Sequence, residues 1–531
     1  MKTRILLIVG ISFFCITSFA QAPSWLWVKS AAATGDIGPN SVAVDASGNI
    51  YMAGDFDYPT ITFGSITLTN NDNSDIFLVK YDVNGNVLWA KTAGGTSQWD
   101  DLNSIAVDLS GNVYVVGTFN SAIFTFGSIT LTKTSTNGES DDDVFVAKYD
   151  SNGNVLWAKS AGGNSWDEAW NVVVDNTSGS VYVIGDFGSP SITFGSYTLT
   201  NTTTGCGNFI VKYNSNGNVL WAINSSFEGI ALDALGNFYT MSSSNDQSFL
   251  CKYDASGNQL WSKNAGGTGY YCDNLVLDVS GNIYMVADFD SPTITFGSIK
   301  LTNNGNADIL LVKYDANGNI LWAKSAGGTG PDYPNSLVVA ASGNVYIGGI
   351  FDSPSLTFGT TTLSNTGSHI ETDDIFLAKY ATNGSVLWAK SVGGTDYEEA
   401  FIALNASENI YVAGYFHSPS LTFGSITLTN TSIDCDYDGF LAKLGSPNAI
   451  NEINYLSDIN VFPNPASNTI SIKAVQHSTI GILNIHGKLI LSIPASINSV
   501  TTIDISSLPS GIYFAQAVTE KGVVIRKFVK D

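Results

Sequence analysis

The chain of 531 residues is 44% hydrophobic and only 13% charged, with 52 glycines against 14 prolines and a formal net charge of −23. Disorder needs low hydrophobicity and high charge, so it is excluded, and the length admits three or four ordinary domains or one or two large repeat assemblies. Arg4 and Arg526 are the only arginines, which removes bidentate clamping of phosphate and the basic surface that nucleic-acid binding depends on.

Residues 1–20 carry Lys2 and Arg4, an apolar stretch from Ile5 to Phe19 and then Ala20, the layout of a cleaved secretory signal, too short to span a membrane. Phe13 and Phe14 stand before Cys15 where a lipoprotein signal needs small residues. No later apolar run is long enough to cross a bilayer, so an exported protein without a transmembrane segment is expected. The remaining cysteines, Cys206, Cys251, Cys272 and Cys435, form no CxxC pair, which argues against zinc. Cys251 and Cys272 read as small buried apolar side chains, with pairing in an oxidising exterior as the alternative.

An internal repeat dominates the chain from Trp27 onward. Segments close to LW-x-K recur at Trp27, Trp89, Trp157, Trp221, Trp261, Trp322 and Trp388, at spacings of 62, 68, 64, 40, 61 and 66 residues. Between them fall an apolar stretch such as Ser104 to Asp108, a turn and strand such as Ser110 to Tyr114, and a strand ending in Lys-Tyr such as Phe145 to Tyr149. β-Branched and aromatic enrichment bounded by Gly, Asn and Asp predicts strands, and Asn84-Gly85, Asn152-Gly153, Asn216-Gly217 and Asn317-Gly318 supply the positive φ of tight hairpins. Each unit is therefore a four-stranded meander. Its runs do not alternate cleanly, as expected of a sheet covered on both faces.

The unit of 40 residues matches four short strands with turns. The longer units add an insert between the second and third strands, such as Thr60 to Leu68, with Phe-Gly at Phe63, Phe126, Phe194, Phe296, Phe358 and Phe423. The last Lys-bearing strand, Gly439 to Lys443, has no LW-x-K strand after it, whereas Trp25 to Lys29 precedes the first complete unit. The N-terminal strand is thus expected to complete the seventh unit and leave few open edges. The expected fold is all-β: a seven-bladed β-propeller over residues 23–444 closed by its N-terminal strand, then a linker at 445–457 and a small C-terminal β-sandwich at 458–531. The SGN-x-Y, DIF-x-K-Y and NGN-x-LWAK elements resemble those of the secreted bacterial β-propeller repeat family, a resemblance covering about residues 25 to 444. It implies a fold and leaves function open.

Composition shifts at Gly445. Residues 23–444 hold 15 Lys and 41 Asp or Glu, a net of −26, whereas residues 445–531 hold six Lys or Arg and five Asp or Glu, a net of +1. Short alternating runs at Thr469 to Lys473 and Ile480 to Ile485, bounded by turn residues, predict the sandwich. Val461 to Pro465, Ile503 to Tyr513 and Val524 to Lys530 make this segment similar to the type A sorting domain of the type IX secretion system. That resemblance implies the secretion machinery as a partner, passage across the outer membrane, removal of the domain, and release or attachment at the cell surface.

Chemistry-bearing motifs are scarce. His369 and His417 are the only histidines of the repeat region and lie in no metal-spaced pair, and 13 of its 15 lysines sit at the two repeat positions, as framework would. No nucleophile elbow or phosphate loop occurs, and no catalytic residue is assigned. The connections from a last strand to the next first strand read Trp99-Asp100-Asp101, Trp166-Asp167-Glu168-Ala169-Trp170, Tyr270-Tyr271-Cys272-Asp273, Asp332-Tyr333 and Asp396-Tyr397-Glu398-Glu399. They are expected as loops gathering aromatic rings and carboxylates on the insert-bearing face, where they would either bind a glycan or wedge and cap the units. Asp141, Asp143, Asp434, Asp436 and Asp438 are candidate calcium ligands, and Asp75, Asp143, Asp308 and Asp374 before the third strands are either such ligands or turn caps. The expected function is a secreted or surface-held, non-enzymatic glycan- or protein-binding protein that requires no cofactor, with calcium as an option. A carboxylate-dependent glycan-cleaving enzyme and a structural surface-layer component are the alternatives.

Overall fold

The computed structural model describes residues 22–31, 35–70, 74–95, 99–135, 141–203, 205–224, 227–244, 247–267, 270–367, 372–431, 437–445, 460–473, 478–484, 488–495, 500–519 and 522–531. The chain divides into two compact units, Met1–Ser446 and Pro447–Asp531. Every regular element among the described residues is a strand, and none of them forms a helix long and apolar enough to cross a membrane.

Among the described residues, the first unit contains seven four-stranded antiparallel sheets. Six are sequential meanders; the second, for example, runs Asp100–Val107, Val113–Phe119, Asp143–Tyr149 and Val155–Ala161. The seventh is composite. Glu398–Leu404, Ile410–Phe416 and Asp438–Leu444 are completed by Trp25–Ala31, with Val28 opposite Ala442 and Ala31 opposite Gly439. Each pair of successive sheets shares its own apolar cluster. Another such cluster joins the seventh sheet to the first, placing Tyr411, Ala413 and Leu441 against Ile50, Met52 and Phe77.

This two-sided packing explains the unbroken apolar runs: every residue of Val113–Phe119 and of Asp143–Tyr149 is buried. The inserts are two-stranded hairpins such as Thr60–Phe63 with Ile66–Thr69, and among the described residues none occurs in the fourth sheet. Their phenylalanines are fully or almost fully buried, as with Phe126, whose ring lies 5.3 Å from that of Phe145. Burial of each such ring contributes roughly 1.5–3 kcal/mol.

The Asn-Gly turns are longer than the two-residue hairpin that their sequence suggests. Asp82 N–H donates to Asn86 C=O at 2.8 Å, while the Asp82 carboxylate accepts from Asn84 N–H and Asn86 N–H. An aspartate four residues before the closing asparagine thus caps a wider turn, with Gly85 at φ 77°. These turns also dock one sheet on the next. The indole N–H of Trp89 and the ammonium of Lys80 both donate to Ser151 C=O at 3.1 Å, and Trp157 with Lys148 repeats the arrangement on Ser215 C=O. The same device joins the seventh sheet to the first, because Lys443 donates to Val83 C=O at 3.0 Å. Each such lysine stands over a tyrosine ring of its own sheet, Lys80 over Tyr51 at 4.8 Å. The lysines of the third strands are accordingly framework.

The second unit has a three-stranded sheet, Asn460–Phe462, Thr469–Lys473 and Val500–Asp504. Its other sheet has four strands, Leu489–Ala495, Ser478–Leu483, Gly511–Thr519 and Gly522–Lys530. Ile470, Ile472, Ile480, Ile482, Ile503, Ile505 and Phe528 form one core drawn from both sheets and the turn beyond Asp504.

Candidate functional site

The starts of the first and third strands and the ends of the second and fourth lie at the same end of each meander, and the insert hairpins leave from there. At this end Asp100, Asp167, Tyr270, Asp332 and Glu398 are not loop residues. Each is the first residue of a first strand, and Asp100, Asp167, Asp332 and Glu398 are completely buried. Asp100 accepts from Ser121 Oγ at 2.8 Å, Asp167 from Ser189 Oγ at 2.9 Å, and Asp332 from Ser353 Oγ at 2.9 Å. Asp75, Asp143, Asp308 and Asp374 likewise open the third strands and are buried. The two carboxyls at each junction meet on the Gly-Gly that ends the intervening fourth strand. A Cβ on Gly327 would lie 2.0 Å from Asp308 Oδ1, while Gly328 N–H donates to Asp332 at 2.8 Å. Burial, reinforced by the neighbouring Asp308, pushes the Asp332 carboxyl up to about 7. Asp100 and Asp167 are pushed up to about 7 and Glu398 to about 8 for the same reason. Asp100 and Asp167 therefore pin the start of a first strand to the turn after the second strand of the same sheet.

The other predicted residues separate. Trp99 is 63% exposed and Tyr333 is 40% exposed; Trp166 and Asp101 are half-buried. Tyr270 is buried against Phe296, their ring centroids 6.0 Å apart, and the side chain of Tyr271 lies outside the described residues. Among the candidate calcium ligands, the Asp143 carboxylate is held by Thr134 N–H and Oγ, both at 2.7 Å, and that of Asp438 by Thr431 N–H at 2.7 Å and Oγ at 3.0 Å. Asp141 is buried, and Asp434, Asp436 and His369 lie outside the described residues. Among the described residues no three His, Cys, Asp or Glu side chains gather as metal ligands. Cys251 and Cys272 are buried free thiols and Cys206 an exposed one; Cys435 lies outside the described residues.

Trp99 and Tyr397 do come together, in a cavity of about 330 Å³ where the seventh, first and second sheets converge. Asp36, Ile37, Gly38, Asn40, Asp55, Asp57, Ser74, Tyr415 and Tyr437 complete its wall. Tyr397 and Tyr415 stack with centroids 6.1 Å apart, and Tyr437 meets Tyr415 edge-on at 5.1 Å. The hydroxyls of Tyr397 and Tyr415 both donate to Glu399. His417 pairs with Asp396 at 2.9 Å and packs at a tilt against Tyr437, centroids 5.2 Å apart. Asn40 donates to Asp55 at 2.8 Å and to Leu102 C=O at 3.2 Å.

The electrostatics around the cavity are uniformly acidic. Burial, then the charge of Asp101, push the Asp55 carboxyl well above the usual carboxylate range. Burial and then Asp142 raise Asp101, and burial and then Glu168 raise Asp186 to about 7. Among the described residues no lysine or arginine lines the cavity, so only the Asn40 amide, which donates to Asp55, works against this field in that wall.

Asp36, Tyr415 and Tyr437 escape sequence reasoning that looks for what repeats, whereas Asp55 recurs as Asp186 and Asp288 and Asp57 as Asp290 and Asp352. Tyr415 occupies the place before the closing Phe of a second strand where other units carry Asp55, Thr118, Asp186, Asp288 or Ile350. Framework positions recur because every junction needs them, whereas a pocket is built where one unit departs from the pattern. That departure was the available signal.

Residues 460–531 match the family described as secretion system C-terminal sorting domain, and residues 88–125 match the β-propeller repeat family. An uncharacterized WD repeat-containing protein of Acanthamoeba polyphaga mimivirus is 27% identical across 77% of this chain and 32% of its own length. Regulatory protein FlaEY of Caulobacter vibrioides is 30% identical across 26% of this chain and 15% of its own length. The chain thus spans about a third or less of these relatives. Among solved structures, a protein of unknown function from Dyadobacter fermentans aligns with 80% of this chain and 100% of its own at 10% identity and a TM-score of 0.38. The β-propeller domain of the trilobed protease of Pyrococcus furiosus covers 76% of this chain and 98% of its own at 8% identity and a TM-score of 0.38. An ulvan lyase covers 73% and 93% at 9% identity and a TM-score of 0.39. With its repeated four-stranded sheets and its matched C-terminal segment, the chain is an all-β protein bearing a β-propeller repeat and a type IX secretion sorting domain, exported to the cell surface or the extracellular space.

Proposed function

We propose that the exported protein is a non-enzymatic receptor for glycans, and that its seven sheets are the blades of a seven-bladed propeller closed by the N-terminal strand. Support for closure comes from the pairing of Trp25–Ala31 with Asp438–Leu444 and from the apolar cluster shared by the seventh and first sheets. The observation that carries the receptor assignment is the cavity of about 330 Å³ that combines Trp99, Tyr397, Tyr415 and Tyr437 with Asp36, Asp55 and Asp57. Aromatic faces cover the CH surfaces of a sugar while carboxylates accept its hydroxyls. Such recognition requires no cofactor.

A glycan array tests the proposal. Wild-type protein should bind, and a Trp99→Ala variant, at a ring that is 63% exposed, should lose that binding with unchanged thermal unfolding. The variant Trp166→Ala, outside the cavity wall, should retain it. No binding by the wild type would end the assignment, and release of new reducing ends would replace it with a glycan-cleaving enzyme.

A further inference from the structure

The cavity wall is rich in hydrogen-bond acceptors and poor in donors. Asp36, Asp55 and Asp57 contribute carboxyl groups, which accept only when ionised; burial holds Asp55 toward its protonated form, and a bound cation would draw it to the ionised one. Several donors of the wall are already committed: both amide bonds of Asn40 run to Asp55 and Leu102, and the Tyr397 and Tyr415 hydroxyls to Glu399, which leaves the Trp99 indole N–H and the Tyr437 hydroxyl beside three carboxyl groups. Sugar hydroxyls and ring oxygens need donors as well as acceptors, whereas a protonated amine donates only. The rings of Tyr415 and Tyr437, 75° apart, form a corner whose π faces attract a cation. Cation binding would also relieve the mutual repulsion that Asp36, Asp57 and Asp101 impose on Asp55.

We infer that the cavity takes the protonated amine of a 2-amino-2-deoxy sugar unit, seated between the Tyr415–Tyr437 corner and the carboxylates of Asp55 and Asp57. This rests on the receptor assignment above and specifies its ligand. Specificity would then lie in charge, because the N-acetylated sugar carries a neutral amide where the amine form offers an ammonium.

The test is calorimetric titration of the full chain at pH 6 with glucosamine trimer and, separately, with N-acetylglucosamine trimer. The amine form should bind at least tenfold more tightly, with the advantage shrinking as salt is raised. Asp57→Asn should cut amine binding about tenfold while leaving thermal unfolding unchanged, and Tyr415→Leu provides a second variant on the opposite wall. Equal affinity for the two trimers, or preference for the acetylated one, would overturn the amine assignment while leaving glycan recognition standing. Binding of neither trimer alongside other glycans on the array would do the same. Binding of a lysine-rich peptide but of no aminosugar would reassign the cavity to a protein partner, and binding of no glycan at all would remove the receptor assignment itself.

Discussion

Asp332 accepts a hydrogen bond from Ser353 Oγ at 2.9 Å, which clamps the start of the sixth sheet's first strand to the turn after its second strand. The clamp recurs with Asp100 and Ser121 and with Asp167 and Ser189, and in every case burial favours the protonated carboxyl. The folded-state values of about 7 for Asp332 and about 8 for Glu398 lie above the roughly 4 expected of an unfolded carboxylic acid. Their stabilisation is therefore complete below about pH 4 and is lost as pH rises through 7 to 8. Melting temperatures should fall from pH 5 to pH 8, with each junction losing on the order of 2 kcal/mol, and Asp332→Asn should flatten that slope. A melting temperature rising over this interval would contradict the assignment.

Glu408 works in the opposite direction. Burial raises its carboxyl, but hydrogen bonds from Ser342, Tyr346 and Lys379 win and hold it down to about 2. Its contribution is present above the unfolded value and disappears as pH falls through about 2. Acid unfolding of Glu408→Gln should begin from a lower baseline and depend less on pH below 4 than the wild type.

The Gly-Gly turns leave no room for a side chain. Gly327→Ala would force a Cβ to 2.0 Å from Asp308 and should destabilise the protein by roughly 2–4 kcal/mol in denaturant titration. Gly205→Ala, with nothing within 4 Å of its Cβ, should stay within about 0.5 kcal/mol of wild type.

Tryptophans of the fourth strands differ in what they hold. Trp157→Phe loses the indole bond to Ser215 C=O at 3.1 Å and leaves that carbonyl to Lys148 alone, at a cost of about 1 kcal/mol. Trp388→Phe should cost less, because the buried Trp388 indole N–H has no acceptor among the described residues. Thermal unfolding of the two variants side by side makes the comparison.

Val28 lies opposite Ala442 in the composite sheet. A Val28→Cys, Ala442→Cys disulfide closes a loop of more than 400 residues and should stabilise the first unit by up to about 6 kcal/mol in the chain-entropy account, reversibly on reduction. Failure of the two thiols to cross-link would argue against this pairing in solution.

Chelation with EDTA is expected to leave the melting temperature unchanged, since Thr134 and Thr431 already hold Asp143 and Asp438. A drop restored by calcium would establish a bound cation.

The framework was legible because it repeats. Trp-x-Lys spacing, the Asp-x-Asn-Gly-Asn turns and the Phe-Gly inserts announce strands, turns and hairpins, and the orphan strand at Trp25 announced its partner at Leu444. The roles of the acidic residues were not legible. Asp100 and Asp101 are adjacent in sequence, yet one is sealed between sheets and the other borders an acidic field, because successive strand residues point to opposite faces.

Amino-acid order alone determined the strand pattern, the unit count and the export address, all of which rest on local periodicity and contiguous motifs. Tertiary structure decided which carboxyls are clamps and which face a cavity. That distinction depends on residues up to 401 positions apart, such as Asp36 and Tyr437, which meet only when the last sheet packs on the first.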